Sequence, residues 1–92
     1  MIDKKLITGL TEEKHIMKVL EEMHELGEVL TKYLNKQPEY RPKKEKIIEE
    51  SGDLLYRMTL MIKKLGIEDE VNERFKVKSD QINEWYKDKL KD

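Results

Sequence analysis

Residues 11–34 read TEEKHIMKVLEEMHELGEVLTKYL, and their apolar residues have the spacing of one long helix. Thr11 precedes two glutamates, which is the pattern of an N-cap followed by acidic residues in the first helical turn. Apolar or small residues then recur in alternating steps of four and three, as on one face of a helix. They lie at positions 16, 20, 23, 27, 30 and 34. We therefore predict an amphipathic helix over 11–34 that packs through this stripe.

A loop and a second helix are predicted to follow. Residues 35–42 contain both prolines of the chain, which favours a loop with Pro42 in the first turn of the next helix. A second apolar stripe predicts that this helix covers residues 42–65. Gly66 follows the stripe and is expected to end the helix as its C-cap.

The rest of the chain is predicted to add one thinner helix. Residues 68–90 carry fewer apolar residues, and we expect Trp85 and Tyr86 to close this helix against the first two, with stacking on a nucleobase as the alternative. Residues 1–10 are expected to be a short lead-in. The prediction is an all-α single domain over 1–92, in which an antiparallel helical hairpin is followed by a third helix.

Composition excludes several classes of protein. The chain has 92 residues, of which 42% are charged, and it contains no cysteine. A chain this short builds a small core, so association with another subunit would add stability. The absence of cysteine excludes a disulfide scaffold and thiolate metal sites, and it fits the reducing cytoplasm. The net charge is −1 and the mean hydropathy is −0.85, so we expect neither nucleic acid nor a membrane as partner.

Two acidic clusters occupy the two hairpin helices. They are Glu21, Glu22 and Glu25 in the first helix, and Glu49, Glu50 and Asp53 in the second. Carboxylates three residues apart share a helix face and repel each other. In an antiparallel hairpin, residues at one height have a constant index sum, and this sum is 75 both for Glu22 with Asp53 and for Glu25 with Glu50.

Helical rotation agrees with these heights, because both pairs flank the same-handed edge of their stripes. Four carboxylates, Glu22, Glu25, Glu50 and Asp53, are therefore predicted to converge without a basic partner. Such a group suits Mg²⁺, with Mn²⁺ as a substitute, since hard cations prefer oxygen ligands. The alternative is that each cluster is an ordinary solvated surface, which is common in a chain with 20 acidic residues. His24 is expected to flank the site.

At these residues the sequence resembles the MazG-type all-α nucleoside triphosphate pyrophosphohydrolases. That family has an EExxE segment on one helix and an ExxD segment on the next, and this chain reads EEMHEL over 21–26 and IEESGDLL over 48–55. The resemblance covers about residues 13–80 and is closest to short, single-domain members. It implies Mg²⁺-dependent hydrolysis of an NTP or dNTP between the α and β phosphates, and assembly of hairpins into four-helix-bundle dimers or tetramers.

The resemblance also implies roles for individual residues. Glu22, Glu25, Glu50 and Asp53 match the Mg²⁺ ligands of the family. Glu21 lies beside them and is expected to position or deprotonate the attacking water, so Glu21 and Glu22 are the expected catalytic residues. Glu49 is the weaker candidate.

Basic residues of the third helix are expected to hold the phosphates, as they do in the family. The matching stretch contains Arg74, Lys76 and Lys78, with Lys76 the first choice. The Lys-x-x-x-Asn ending of the family is replaced here, because Asp80 stands four residues after Lys76.

The chain has no glycine-rich phosphate-binding motif, so metal and basic side chains would have to hold a triphosphate. A second group of basic residues surrounds the predicted loop. It consists of Lys36, Arg41, Lys43, Lys44 and Lys46. We expect solvated charges there, and attraction of a triphosphate is the alternative.

Two functions from different classes are consistent with the sequence. The first is a cytoplasmic, oligomeric, Mg²⁺-dependent nucleoside triphosphate pyrophosphohydrolase. The second is a non-catalytic helical module that binds another helix through its apolar stripes.

Overall fold

The computed structural model describes residues 2–35, 37–87 and 89–90, and every regular element in them is helical. A short 3₁₀ turn at Pro38–Tyr40 joins the two longest helices. The four α-helices are α1 (Lys4–Gly9), α2 (Glu12–Tyr33), α3 (Lys44–Leu65) and α4 (Glu68–Tyr86). In these residues no helix combines the length and apolarity that a bilayer crossing requires. The all-α prediction is confirmed.

Capping groups explain where α2 begins and where α3 ends. The Thr11 hydroxyl accepts a hydrogen bond from the Lys14 backbone N–H at 3.1 Å, which satisfies one of the free donors of the first turn. Gly66 closes α3 with φ 67°, a left-handed conformation in which a side chain would be strained. Both caps agree with the sequence analysis.

Three predicted boundaries are wrong. Residues 4–9 form α1, which the Asp3 carboxylate caps by accepting from the Lys5 N–H at 2.9 Å. One helical turn and a half is too short to show periodicity. Pro42 precedes α3, which starts at Lys44, and α4 ends at Tyr86 instead of residue 90. Lys36 lies outside the described residues.

The helices α2 and α3 pack against each other as a hairpin, and α1 covers the C-terminal part of α3. The Lys64 ammonium lies 3.4 Å from the Thr8 carbonyl oxygen, so the beginning of the chain meets the end of α3. His15 is fully buried at this junction, with Nε2 3.3 Å from the Ile7 carbonyl oxygen. The first turns of α2 therefore lie level with the last turns of α3, which makes the hairpin antiparallel.

The stripe of α2 that packs on α3 is shifted by one position along the sequence from the predicted stripe. Its buried and half-buried members are His15, Val19, Glu22, Leu26, Val29 and Tyr33. The predicted stripe is exposed instead: 57% of Leu20, 52% of Met23 and 81% of Leu34 face solvent. Both stripes have the 4-3 spacing of a helix face, but a pattern of apolar residues does not predict the buried one, because it includes a histidine and a glutamate.

The exposed stripe joins a similar stripe of α3 on one side of the hairpin. It lies about 100° ahead of the buried stripe of α2, and on α3 Ile48 and Leu55 lie about 100° ahead of the half-buried Ile47 and Leu54. In antiparallel helices, equal rotation turns both stripes to the same side. We call this surface the outer apolar face, and its exposed members are Ile16, Leu20, Met23, Leu30, Leu34, Ile48 and Leu55.

The last helix, α4, packs on α3 near Gly66 and has no buried residue. Phe75 is 76% exposed and Trp85 57% exposed. The Trp85 and Tyr86 rings pack edge to face with their centroids 4.4 Å apart. The Lys89 ammonium lies over the Trp85 ring, 4.1 Å from its centroid. The prediction that Trp85 and Tyr86 close this helix against the hairpin is therefore wrong in this single chain.

Candidate metal centre

The structure arranges the predicted carboxylates as two overlapping groups that share Glu50. In the first group, oxygens of Glu22, Glu25 and Glu50 lie within 4.8 Å of one another. In the second group, the same limit holds for Glu49, Glu50 and Asp53. Glu22 and Asp53, predicted to be level, fall in different groups. Glu49, the weaker candidate, belongs to the second group.

Burial distinguishes Glu50 and Glu22 from ordinary surface acids. Glu50 is only 5% exposed, and Glu22 is half-buried because it lies in the stripe that packs on α3. One carboxylate oxygen of each, Oε2 in both cases, is buried without a hydrogen-bond partner. A buried carboxylate oxygen without a partner is costly, so a ligand that contacts it gains affinity.

The neighbouring carboxylates raise the proton affinity of Glu25. The pKa of the Glu25 carboxyl is raised above its ordinary value, first by a hydrogen bond with Glu50 and then by the charge of Glu22. Glu25 itself is exposed, whereas its neighbour Glu50 is buried. The site therefore favours either a proton or a cation in this position.

A basic residue does lie among the carboxylates, and the prediction of a cluster without one is wrong. The Lys46 ammonium is 3.1 Å from Glu50 Oε1 and 3.5 Å from Glu49 Oε2. The pKa of Lys46 is raised, first by its hydrogen bond to Glu50 and then by the charge of Glu49. Lys46 is therefore not one of the solvated charges that the sequence predicts around the loop, and its position one helical turn before Glu50 is the sequence signal of this contact.

The remaining residues of the acidic segments point to other partners. Glu21 is exposed beside the first group, and its Oε2 lies 3.3 Å from the Lys18 ammonium. His24 belongs to neither group, and its Nε2 lies 3.4 Å from Glu28. Glu21 is thus placed next to the site and His24 outside it.

The predicted phosphate-binding residues are not brought to the carboxylates within this chain. Arg74, Lys76 and Lys78 are exposed on α4, and none forms an ion pair in the described part of the chain. Arg74 and Lys78 line shallow depressions that consist of α4 residues alone. Because α4 joins the hairpin only near Gly66, these side chains are free to meet another molecule.

The donor set fits a hard divalent cation. All candidate ligands are carboxylate oxygens, and Mg²⁺ binds oxygen at about 2.1 Å while retaining waters. Oxygens within 4.8 Å of one another can share one such ion. The two unpartnered oxygens of Glu22 and Glu50 supply an independent reason for a ligand at this place.

Comparisons of the chain with family descriptions, with curated proteins and with solved structures find no match.

Proposed function

We propose that this protein is a Mg²⁺-dependent hydrolase that converts a nucleoside triphosphate, in particular a deoxynucleoside triphosphate, to the monophosphate and pyrophosphate. The observation that carries the proposal is the buried Glu50, which has one carboxylate oxygen without a partner and lies in a group with Glu22 and Glu25. The resemblance of segments 21–26 and 48–55 to MazG-type enzymes supports the choice of reaction. The lack of cysteine supports a cytoplasmic location.

The carboxylates have distinct roles in this proposal. Glu22, Glu25, Glu50 and Asp53 would hold Mg²⁺, with Mn²⁺ as a substitute. The bound ion would neutralise phosphate charge and lower the pKa of a water molecule. Glu21 would position that water or accept its proton, together with Glu22. Such a role needs a carboxylate near the site that is free to move, and Glu21 is exposed there.

Basic residues of α4 complete the proposed substrate site. Lys76 is the first candidate for the phosphates, with Arg74 and Lys78 beside it. Since α4 contacts the hairpin only near Gly66, we propose that assembly of the protein brings these side chains to a carboxylate group. The phosphates would then be held from two sides, by the metal and by ammonium or guanidinium groups.

We propose that the chain associates with itself, as a dimer or a tetramer, through the outer apolar face. Seven large apolar side chains on one side of a hairpin are unusual for a stable monomer. Two such hairpins packed face to face form a four-helix bundle, which buries these side chains. The exposed carboxylates lie on the other side of the hairpin, so association through this face leaves them accessible.

The outer apolar face also supports a second function, a non-catalytic module that binds a helix of another protein. The module needs no cation and no nucleotide. Measurements of catalysis and of metal binding therefore distinguish the two proposed functions.

The direct experiment measures pyrophosphate release from a panel of NTPs and dNTPs with and without Mg²⁺. We expect Mg²⁺-dependent release from the wild type and a loss of at least about a hundredfold in Glu50→Gln and Asp53→Asn, as for removal of groups that stabilise a transition state. Glu28→Gln is the matched control, because Glu28 is an exposed acid of α2 that contacts His24. Undiminished activity in the first two variants would contradict the proposal.

A further inference from the structure

Lys46 occupies an unusual place for a surface lysine, because its ammonium enters the carboxylate site. Its Nζ lies 3.1 Å from Glu50 Oε1 and 3.5 Å from Glu49 Oε2. The Lys46 side chain is 49% exposed, whereas that of Glu50 is 6% exposed. The ammonium thus reaches from solvent to a buried carboxylate that both candidate metal groups share.

One ammonium does not satisfy this site. Glu50 uses Oε1 for Lys46, while its Oε2 and the Oε2 of Glu22 remain without partners. Lys46 contributes a single charge, whereas a divalent cation contributes two and contacts several oxygens at once. The order of the pair along α3 also matters, because lysine before glutamate is the weaker arrangement at a spacing of four residues.

The Lys46 side chain can leave the site at little cost. Lysine has a flexible four-carbon stem and a strongly hydrated head group, and half of this side chain already faces solvent. The Glu50 side chain, in contrast, lies on the buried side of α3 and stays in the site when the Lys46 side chain moves into solvent. A cation that binds the Glu50 oxygens must therefore displace the Lys46 ammonium.

From this geometry we propose that Lys46 is a built-in counter-ion that competes with the divalent cation for Glu50, and so weakens the affinity of the site for Mg²⁺. This inference rests on the cation site of the proposed function. It predicts that the ammonium is displaced when Mg²⁺ binds. The same competition disfavours monovalent ions, which bring no more charge than the ammonium they replace.

Calorimetric titration of the full chain with Mg²⁺ and with Mn²⁺ tests the inference. We expect Lys46→Gln to bind both ions roughly fivefold more tightly than the wild type, as expected for the loss of one partly exposed ion pair. Lys44→Gln removes the same charge from the same turn and should leave the affinity unchanged. Lys46→Arg keeps the charge and should remain close to the wild type.

Equal affinity in wild type and Lys46→Gln would overturn the role of Lys46 and leave the cation site intact. Binding to neither protein would instead remove the cation site itself, and the inference with it. Nuclear magnetic resonance of the lysine Cε–Hε groups in the wild type gives a test that does not depend on folding of a variant. The Lys46 signal, assigned through its scalar couplings to the backbone, should shift as Mg²⁺ binds, and an unchanged signal in the loaded protein would overturn the competition.

Discussion

Glu50 is a buried carboxylate, and burial makes its negative charge costly. Its carboxylate lies in the interface between α2 and α3, where apolar groups would pack more easily. The half-exposed Lys46 ammonium offsets part of the negative charge of Glu50, while the carboxylates of Glu25 and Glu22 repel that charge. Taken alone this arrangement costs stability, which is why we interpret it as a ligand site.

The raised pKa of Glu25 predicts how the stability of the metal-free protein depends on pH. A carboxyl whose pKa is raised in the folded state binds a proton more tightly when folded, so its protonated form stabilises the fold. This stabilisation is present below the ordinary pKa of 4.5 and is lost as the pH rises through the higher folded value. Glu25→Gln removes this pH-dependent contribution of Glu25 to the free energy of unfolding.

Urea unfolding of the metal-free protein between about pH 4 and pH 7 measures the effect. We expect the free energy of unfolding of the wild type, relative to Glu25→Gln, to fall across this window. Glu28→Gln should give a curve parallel to the wild type. A parallel curve for Glu25→Gln as well would show that the carboxylates do not interact.

At the level of the helices, α2 carries two adjacent 4-3 stripes, and only one can pack on α3. The structure buries the stripe with His15 and Glu22 and leaves the more apolar stripe with Leu20 and Met23 exposed. A helix with an exposed apolar stripe gains stability when a second hairpin covers it.

Charge placed in the outer apolar face should therefore prevent self-association. If the proposed self-association occurs, the wild type has the mass of a dimer or tetramer in sedimentation equilibrium, and we expect Leu20→Glu to have the mass of the monomer. Lys14→Glu is the control, because Lys14 is an exposed residue of α2 that lies about 160° around the helix from the centre of the face. Oligomers that persist in Leu20→Glu would exclude this face as the interface.

The three long helices and the Thr11 and Gly66 caps were predictable because each depends on local spacing along the chain. The approach of Glu25 to Glu50 was predictable from the constant index sum of an antiparallel hairpin. Three features were not. The six residues of α1 are too few to show a period, and the choice between two equivalent stripes of α2 depends on the partner helix. The spacing of Lys46 from Glu50 permits a contact, but such pairs on a helix surface often stay solvated, and the burial of Glu50 that favours the contact depends on the packing of α3 on α2.

As a whole molecule, the chain is too extended for its length. Its radius of gyration is 16.9 Å, whereas a compact chain of this size is expected near about 12 Å. In the described residues the buried hydrophobic side chains are Val19, Val29 and Leu60. So small a core supports the self-association proposed above, because a second subunit would cover further apolar side chains.

The thermal midpoint should accordingly depend on protein concentration. If folding and dimerisation are coupled, a tenfold increase in concentration raises the midpoint by about 4 °C. Circular dichroism melting between micromolar and hundred-micromolar protein measures this directly. A constant midpoint over that range would show that the single chain is stable alone, and Leu20→Glu provides the monomeric comparison.

Pyrophosphate release from the nucleotide panel tests the central claim most directly. We predict that the wild-type protein with Mg²⁺ produces monophosphate and pyrophosphate in equal amounts from at least one deoxynucleoside triphosphate, that EDTA stops the reaction, and that Glu50→Gln lacks it. No turnover of any triphosphate with either Mg²⁺ or Mn²⁺, or release of orthophosphate in place of pyrophosphate, would contradict the proposed function.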